Sequence, residues 1–209
     1  MKRVVVSSIS VAVIMFATMF FGGCDKDNTP SLVSGGFDGK ITAKVEDGAT
    51  YNAYFTKVWA FIGTAIDNDN VLHYDELIAQ GVYSNGGFTI DLPSSVKDEH
   101  LVKISDFFED ELNISGDLKY SNLEAKIIDV DFFALNNNDQ WYGYFASSDD
   151  EASNNRTWCF FVYVDADVTV TGGPTVSFKK GWNRLYYSSG KKLVTTKEPS
   201  GMKWHFNEV

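Results

Sequence analysis

Four aspartates stand in two pairs whose spacing could support metal binding. Asp129 and Asp131 lie two residues apart in a predicted strand, and Asp165 and Asp167 repeat the spacing further along. Alternate side chains of a strand point to the same face, so each pair should share a face. If the two strands are neighbours, four carboxylates would cluster, and calcium would be the natural cation between them. The alternative is that all four face solvent separately.

A second candidate site follows a polar loop that contains Asn138 and Asp139. The next residues include Trp141, Tyr142 and Tyr144. Strict alternation would send Trp141 to one face of a strand and the two tyrosines to the other. Flat rings beside amides suit saccharides, whose C–H faces are apolar and whose hydroxyls need directional hydrogen bonds. The alternative is that both faces of this strand are buried.

The elements that would position these residues are predicted to be strands. Residues 40–45, 124–135 and 166–172 alternate polar and apolar, and 57–66 and 156–165 are almost continuously apolar. Aromatic residues make up 15% of the chain, there are 17 glycines, and prolines are few. The pattern predicts an all-β fold with little helix, built as an antiparallel β-sandwich of two closely packed units or as one elongated sandwich.

The amino-terminal residues predict export. Lys2 and Arg3 precede an apolar stretch that ends at Gly22, Gly23 and Cys24. This ending resembles the lipobox of bacterial lipoproteins, although Phe21 stands where leucine is usual. The resemblance implies cleavage after residue 23 and acylation of Cys24, with palmitate as one of the acyl groups. An uncleaved membrane anchor is the alternative.

The predicted organisation has four parts. Residues 1–23 are the signal peptide and 24–36 a polar tether, followed by a first sandwich unit at 37–118 and a second at 119–209. An acid-flanked lysine, Lys26, resembles the surface-export signal of Bacteroidetes-type lipoproteins. That resemblance implies attachment to the outer membrane through lipid, facing the cell exterior.

Two further resemblances concern the folded part. The segments KITAKVEDG, KVWAFI and YSNGGFTIDLP resemble the transthyretin-like type of β-sandwich module. VYVDADVTVTG, KKGWNRLYYS and EPSGMKWHF are similar to small, uncharacterised Bacteroidetes-type surface lipoproteins. Both imply an all-β fold, and neither implies a catalytic residue or a cofactor.

The composition of the chain disfavours several classes of partner and cofactor. The formal net charge is −10, which disfavours nucleic acids and anionic headgroups. With Cys24 acylated, Cys159 would be left without a disulfide partner, and a small buried hydrophobe is its simplest role. The three histidines are far apart in sequence, and no nucleophile or phosphate-binding motif occurs. We therefore expect no cofactor, apart from calcium at the aspartates.

These observations favour a surface module that binds a glycan or a protein. We expect it to have no enzymatic activity. The first alternative is a structural or accessory subunit of an envelope assembly, such as a fimbria-like complex. That role predicts an unpaired apolar edge strand. The second alternative is a hydrolase, which would need titratable groups that converge in a pocket.

Overall fold

The computed structural model describes residues 36–66, 72–114, 116–135, 140–149, 155–173 and 175–208. Cys24, the tether before Gly36, Asn138 and Asp139 lie outside the described residues. Within these ranges, no helix is both long and apolar enough to cross a membrane.

The described residues form sixteen strands, of which eight come from the first 120 positions. These are β1 (Lys40–Lys44), β2 (Lys57–Ile62), β3 (Ala65–Ile66), β4 (Leu72–His73), β5 (Glu76–Ser84), β6 (Gly87–Asp91), β7 (Val102–Lys103) and β8 (Lys119–Tyr120).

The other eight strands include the longest one, β9. They are β9 (Lys126–Leu135), β10 (Trp141–Ser148), β11 (Trp158–Val164), β12 (Val168–Thr171), β13 (Val176–Phe178), β14 (Gly181–Ser188), β15 (Leu193–Thr195) and β16 (Lys203–Glu208).

One large sheet holds most of these strands. Its order is β1–β6–β5–β2–β9–β10–β11–β14–β15, with β16 paired to β10 and β7 paired to β9. Strands from both halves of the chain meet in it, because β2 pairs with β9. In this pair Val58 lies opposite Ala134, and Phe61 lies opposite Asp131. All pairings between the named strands are antiparallel.

The sheet curves until its ends nearly meet. Strand β16 pairs with β10 along one edge, and on its other edge Trp204 forms a parallel bridge with Val45, just after β1. The backbone N–H of Glu46 donates to the carbonyl of Trp204 at 2.8 Å. A ring of seven strands, β1–β6–β5–β2–β9–β10–β16, therefore encloses the main core.

The main core consists of side chains that point into this ring. They include Ile41, Ala43, Val58, Ala60, Phe88, Ile90, Val130, Phe132 and Phe145. Alternation accounts for the set, because every second residue of β1, β2, β6 and β9 belongs to it. The intervening residues of β2 and β9 point outward, and they include Asp129 and Asp131.

A second core lies on the opposite face of β9, β11 and β14. It contains Ile127, Val162, Val164 and Leu185 from that face. A small sheet of β8, β12 and β13 covers them, together with the helix Ile104–Asp106 and the π-helical turn Phe107–Glu111 that continues it. Both faces of β11 are thus buried, as its continuous apolar run predicts.

Helix is a minor component of the described chain. Besides the segment at 104–111, the helices are two 3-10 turns, Gly48–Ala53 and Asp98–His100. The predicted all-β, antiparallel fold with little helix is confirmed.

Candidate functional site

Asp129 and Asp131 share the outward face of β9, as their spacing predicts. Asp131 lies opposite Phe61 of β2, and Asp129 lies opposite Val162 of β11. Both carboxylates therefore have apolar neighbours across the sheet. Each side chain keeps only part of its surface exposed to solvent.

A hairpin places a hydroxyl on this pair. It begins at Gly63, whose φ of 63° is one that residues with a side chain rarely adopt. A Cβ atom at this position would also lie only 2.5 Å from Asp75 Oδ2, so the turn requires glycine. The backbone N–H of Asp75 donates to the carbonyl of Ile62 at 3.0 Å, which closes the hairpin at its base. Thr64 consequently reaches the sheet, and its hydroxyl donates to Asp131 Oδ2.

The surroundings of the pair disfavour negative charge. Burial raises the pKa of the Asp129 carboxyl well above its usual range, and the charges of Asp131 and Glu111 raise it further. Burial also raises the pKa of Asp131, against the lowering effect of the Thr64 hydrogen bond. The pKa of Glu111 is raised by burial and then by its acidic neighbours Asp110 and Asp131. The pair is thus held in a setting that favours a proton or a cation.

Asp165 and Asp167 lie elsewhere and have their own partners. Asp165 Oδ1 accepts from the backbone N–H of Lys126 at 2.8 Å. Asp167 accepts from Lys179 Nζ at 2.7 Å and from the backbone N–H of Lys180 at 2.8 Å. The expected cluster of four carboxylates is therefore wrong, because Asp165 follows β11 beyond Val164 while Asp129 pairs with Val162.

The calcium hypothesis depended on that convergence. Among the described residues, no group of three or more histidine, cysteine, aspartate or glutamate side chains has the geometry to hold a metal ion. The acidic pair on β9 remains as a carboxyl site with a hydroxyl donor.

Five aromatic rings continue from the acidic pair along the outward face, and we call them the outer aromatic row. Phe61 and Phe133 are buried at its base, with ring centroids 5.8 Å apart. Trp59 stacks on Phe61 at 6.4 Å, Tyr74 packs on Phe61 at 4.2 Å, and Trp141 meets Phe133 edge-on at 6.0 Å. Trp59 and Trp141 are half-buried, and Tyr74 is 51% exposed. Three partly exposed rings thus rest on two buried ones.

A bulge in β10 changes the faces predicted for the aromatic stretch. The register with β9 shifts between Trp141 and Gly143, so Tyr142 is the extra residue. Trp141 and Tyr144 consequently share the outward face, whereas Tyr142 packs with the main core. The predicted grouping of Tyr142 with Tyr144 is wrong, because a bulge reverses the alternation beyond it.

Tyr142 belongs to a different aromatic cluster. Its ring stacks between Tyr54, at 5.6 Å, and Phe206, at 5.8 Å. A hydrogen bond with Glu208 raises the pKa of Tyr142 to about 12, with burial adding to the shift. Tyr142 and Phe206 pack against the main core, so this cluster is separate from the outer aromatic row.

Tyr144 of β10 lies near Asp131, and Arg156 lies near Tyr144. Burial raises the pKa of Tyr144, the charge of Arg156 lowers it, and Asp131 raises it. The Arg156 guanidinium also lies 5.4 Å from the ring centroid of Trp158. The site therefore combines carboxyl, hydroxyl and phenol groups next to the outer aromatic row.

The sequence interpretation missed Trp59, Phe61, Tyr74 and Glu111 as members of this region. The continuously apolar run that contains Trp59 and Phe61 is typical of a strand covered on both faces, whereas Trp59 is partly exposed. Their spacing of two residues was the available signal, since it matches the spacing of Asp131 and Phe133 on the strand that pairs with them.

Cys159 takes no part in the site. Burial raises the pKa of its thiol to about 12. The residue packs against the main core, in agreement with its expected role as a small hydrophobe.

Comparison of the chain with protein-family models, with curated proteins and with solved structures found no match.

Proposed function

We propose that this chain is a lipid-anchored cell-envelope protein that binds saccharides on its outer aromatic row. The observation that carries the proposal is the arrangement of Trp59, Tyr74 and Trp141, which are partly exposed and rest on buried Phe61 and Phe133. A row of this kind presents a firm apolar surface without a catalytic nucleophile.

The chemistry of the surface suits a sugar ring. The C–H faces of a pyranose are apolar and pack on aromatic rings, while hydroxyl groups need donors and acceptors at the edges. Thr64 and the Asp131 carboxyl supply such groups beside Phe61. The indole N–H of Trp141 is buried and finds no acceptor among the described residues, so an oxygen acceptor from a ligand would stabilise it.

The sequence around the row supports the same class of ligand. Residues 136–139, which read Asn-Asn-Asn-Asp, connect β9 to β10 directly before Gln140 and Trp141. Amide side chains both donate and accept hydrogen bonds, which matches the hydroxyls of a saccharide.

The location follows from the amino-terminal sequence. Acylation of Cys24 would hold the chain to the outer membrane through lipid, with the tether between Cys24 and Gly36. The resemblance of the Lys26 segment to a surface-export signal favours the cell exterior. A position there would give the outer aromatic row access to glycans outside the cell.

The proposal is tested by glycan-array binding with the chain lacking residues 1–24. Every residue of the two hydrophobic cores lies after Gly36, so this chain retains both. We expect this chain to bind saccharides with or without calcium. Its affinity should fall at least tenfold in Tyr74→Ala and in Trp141→Ala. Tyr54→Ala is the matched control, because Tyr54 is 52% exposed but lies outside the row. Absence of binding across the array, or equal losses in all three variants, would contradict the proposal.

A further inference from the structure

The outer aromatic row ends in carboxyl groups. Asp131 lies beside Phe61 in the register, and Asp129 follows on the same face. Glu111, at the end of the π-helical turn, is close enough for its charge to act on Asp129. Three carboxyl groups thus gather where the row ends at the hairpin.

Among the described residues, the side chains that shift the pKa values of the pair are acidic or neutral. The hairpin contributes the neutral Thr64 hydroxyl, β10 contributes the Tyr144 phenol, and the π-helical turn contributes Glu111. The charge of Arg156 acts on Tyr144. Two carboxylates on one face repel each other unless a proton or a cation lies between them.

The other end of the row already holds an ammonium group. Lys57 Nζ lies 5.8 Å from the ring centroid of Trp59. Ring faces attract cations, because their electron density is negative above and below the plane. The row therefore contacts a positive charge of the chain itself at one end, and it presents carboxyl groups at the other.

We propose that the outer aromatic row binds a saccharide that carries a primary ammonium group, with the ammonium at Asp129 and Asp131. This inference rests on the proposed function and names its substrate class. The rings carry the apolar face of the sugar, and the ammonium donates hydrogen bonds to the two carboxylates. The formal charge of −10 on the whole chain adds a long-range attraction for such a cation.

Bound ammonium would change the protonation of the pair. A cation near a carboxyl group favours its ionised form, so binding should expel protons that the raised pKa values retain in the free protein. A neutral saccharide lacks this effect. Proton release is therefore a readout that separates the two classes of ligand.

The experiment is calorimetry with a glucosamine oligosaccharide and its N-acetylated counterpart, at mildly acidic pH. We expect the amine form to bind at least tenfold more tightly, with an enthalpy that changes with the ionisation enthalpy of the buffer. In Asp131→Asn the preference for the amine form should disappear. Asp167→Asn is the control, because Asp167 is an exposed carboxylate away from the row.

Equal affinity of the unmodified protein for the two oligosaccharides would overturn this inference and leave the proposed function standing. The same holds if only neutral glycans bind. Failure of every saccharide on the array would overturn the proposed function as well. The comparison of the two ligands uses the unmodified protein, so it decides the inference even if Asp131→Asn does not fold.

Discussion

Asp131 lies directly opposite Phe61 in the antiparallel pair of β2 and β9. Side chains in such positions have their Cβ atoms about 5 Å apart, so the carboxyl group stands beside a buried ring. Thr64 supplies its hydrogen bond from the hairpin. The chain thus places a carboxyl group in a half-buried apolar setting and gives it one hydroxyl partner.

Replacing Asp129 by asparagine should stabilise the protein at neutral pH. Its pKa is raised in the folded state, chiefly by burial, so folding retains a proton that the unfolded chain releases. Stability is then greatest below about pH 4 and falls as the pH rises towards the folded-state pKa. Urea unfolding of Asp129→Asn should show a gain at pH 7 that disappears below pH 4. A gain of equal size at both pH values would contradict this account.

Asp167 should behave in the opposite way. The hydrogen bond from Lys179 lowers its pKa, and the backbone N–H of Lys180 lowers it further. A lowered pKa contributes stability above the unfolded-state value, and that contribution is lost as the pH falls through the folded-state pKa. Asp167→Asn should therefore lose stability at neutral pH by a small amount, because the pair is exposed. The same urea series would show the loss shrinking towards acid pH, and a loss that grew there would count against it.

Phe133 supports the outer aromatic row from below. It is 4% exposed and contacts Phe61 and Trp141. Phe133→Ala should lower the free energy of unfolding by about 3–5 kcal/mol, since it leaves a cavity under the row. Val82→Ala is the control, because Val82 is 64% exposed and should change stability by about 0.5 kcal/mol or less. Similar losses in the two variants would show that Phe133 is not packed as described.

The Cys159 thiol should react slowly with iodoacetamide in the folded protein. Its pKa of about 12 leaves very little thiolate near neutral pH. In the chain lacking residues 1–24, Cys159 is the only cysteine. Its labelling should be on the order of a thousandfold slower than in denaturant, where the thiol regains its ordinary pKa. Equal rates in the two conditions would contradict the burial of this side chain.

Local patterns in the sequence supported the prediction of an all-β fold. Alternation in 40–45 and 124–135 indicated strands, and it also placed Asp129 and Asp131 on one face. Positions that depend on pairing between distant strands were harder to predict. The separation of Asp165 from Asp129 depends on the register of β9 and β11, which no local pattern encodes.

The candidate site was predicted only in part, because it too depends on pairing between distant strands. Trp141 was identified from its own aromatic stretch, but Phe61 and Tyr74 of the same row come from β2 and the hairpin that follows it. The bulge at Tyr142 leaves no clear sign in the sequence either. One extra residue reverses the two faces of a strand, so strict alternation gave the wrong face for Tyr144 relative to Tyr142.

The position of β16 has a consequence for the order in which the protein folds. This strand contains residues 203–208 and joins β10 to the end of β1, at Val45 and Trp204. Closing the ring therefore requires contact between segments about 160 residues apart, and such long loops slow folding. During synthesis the main core must stay open until β16 has left the ribosome. β16 follows the other six strands of the ring in the sequence, so the strand that completes the ring is the last of the seven to be made.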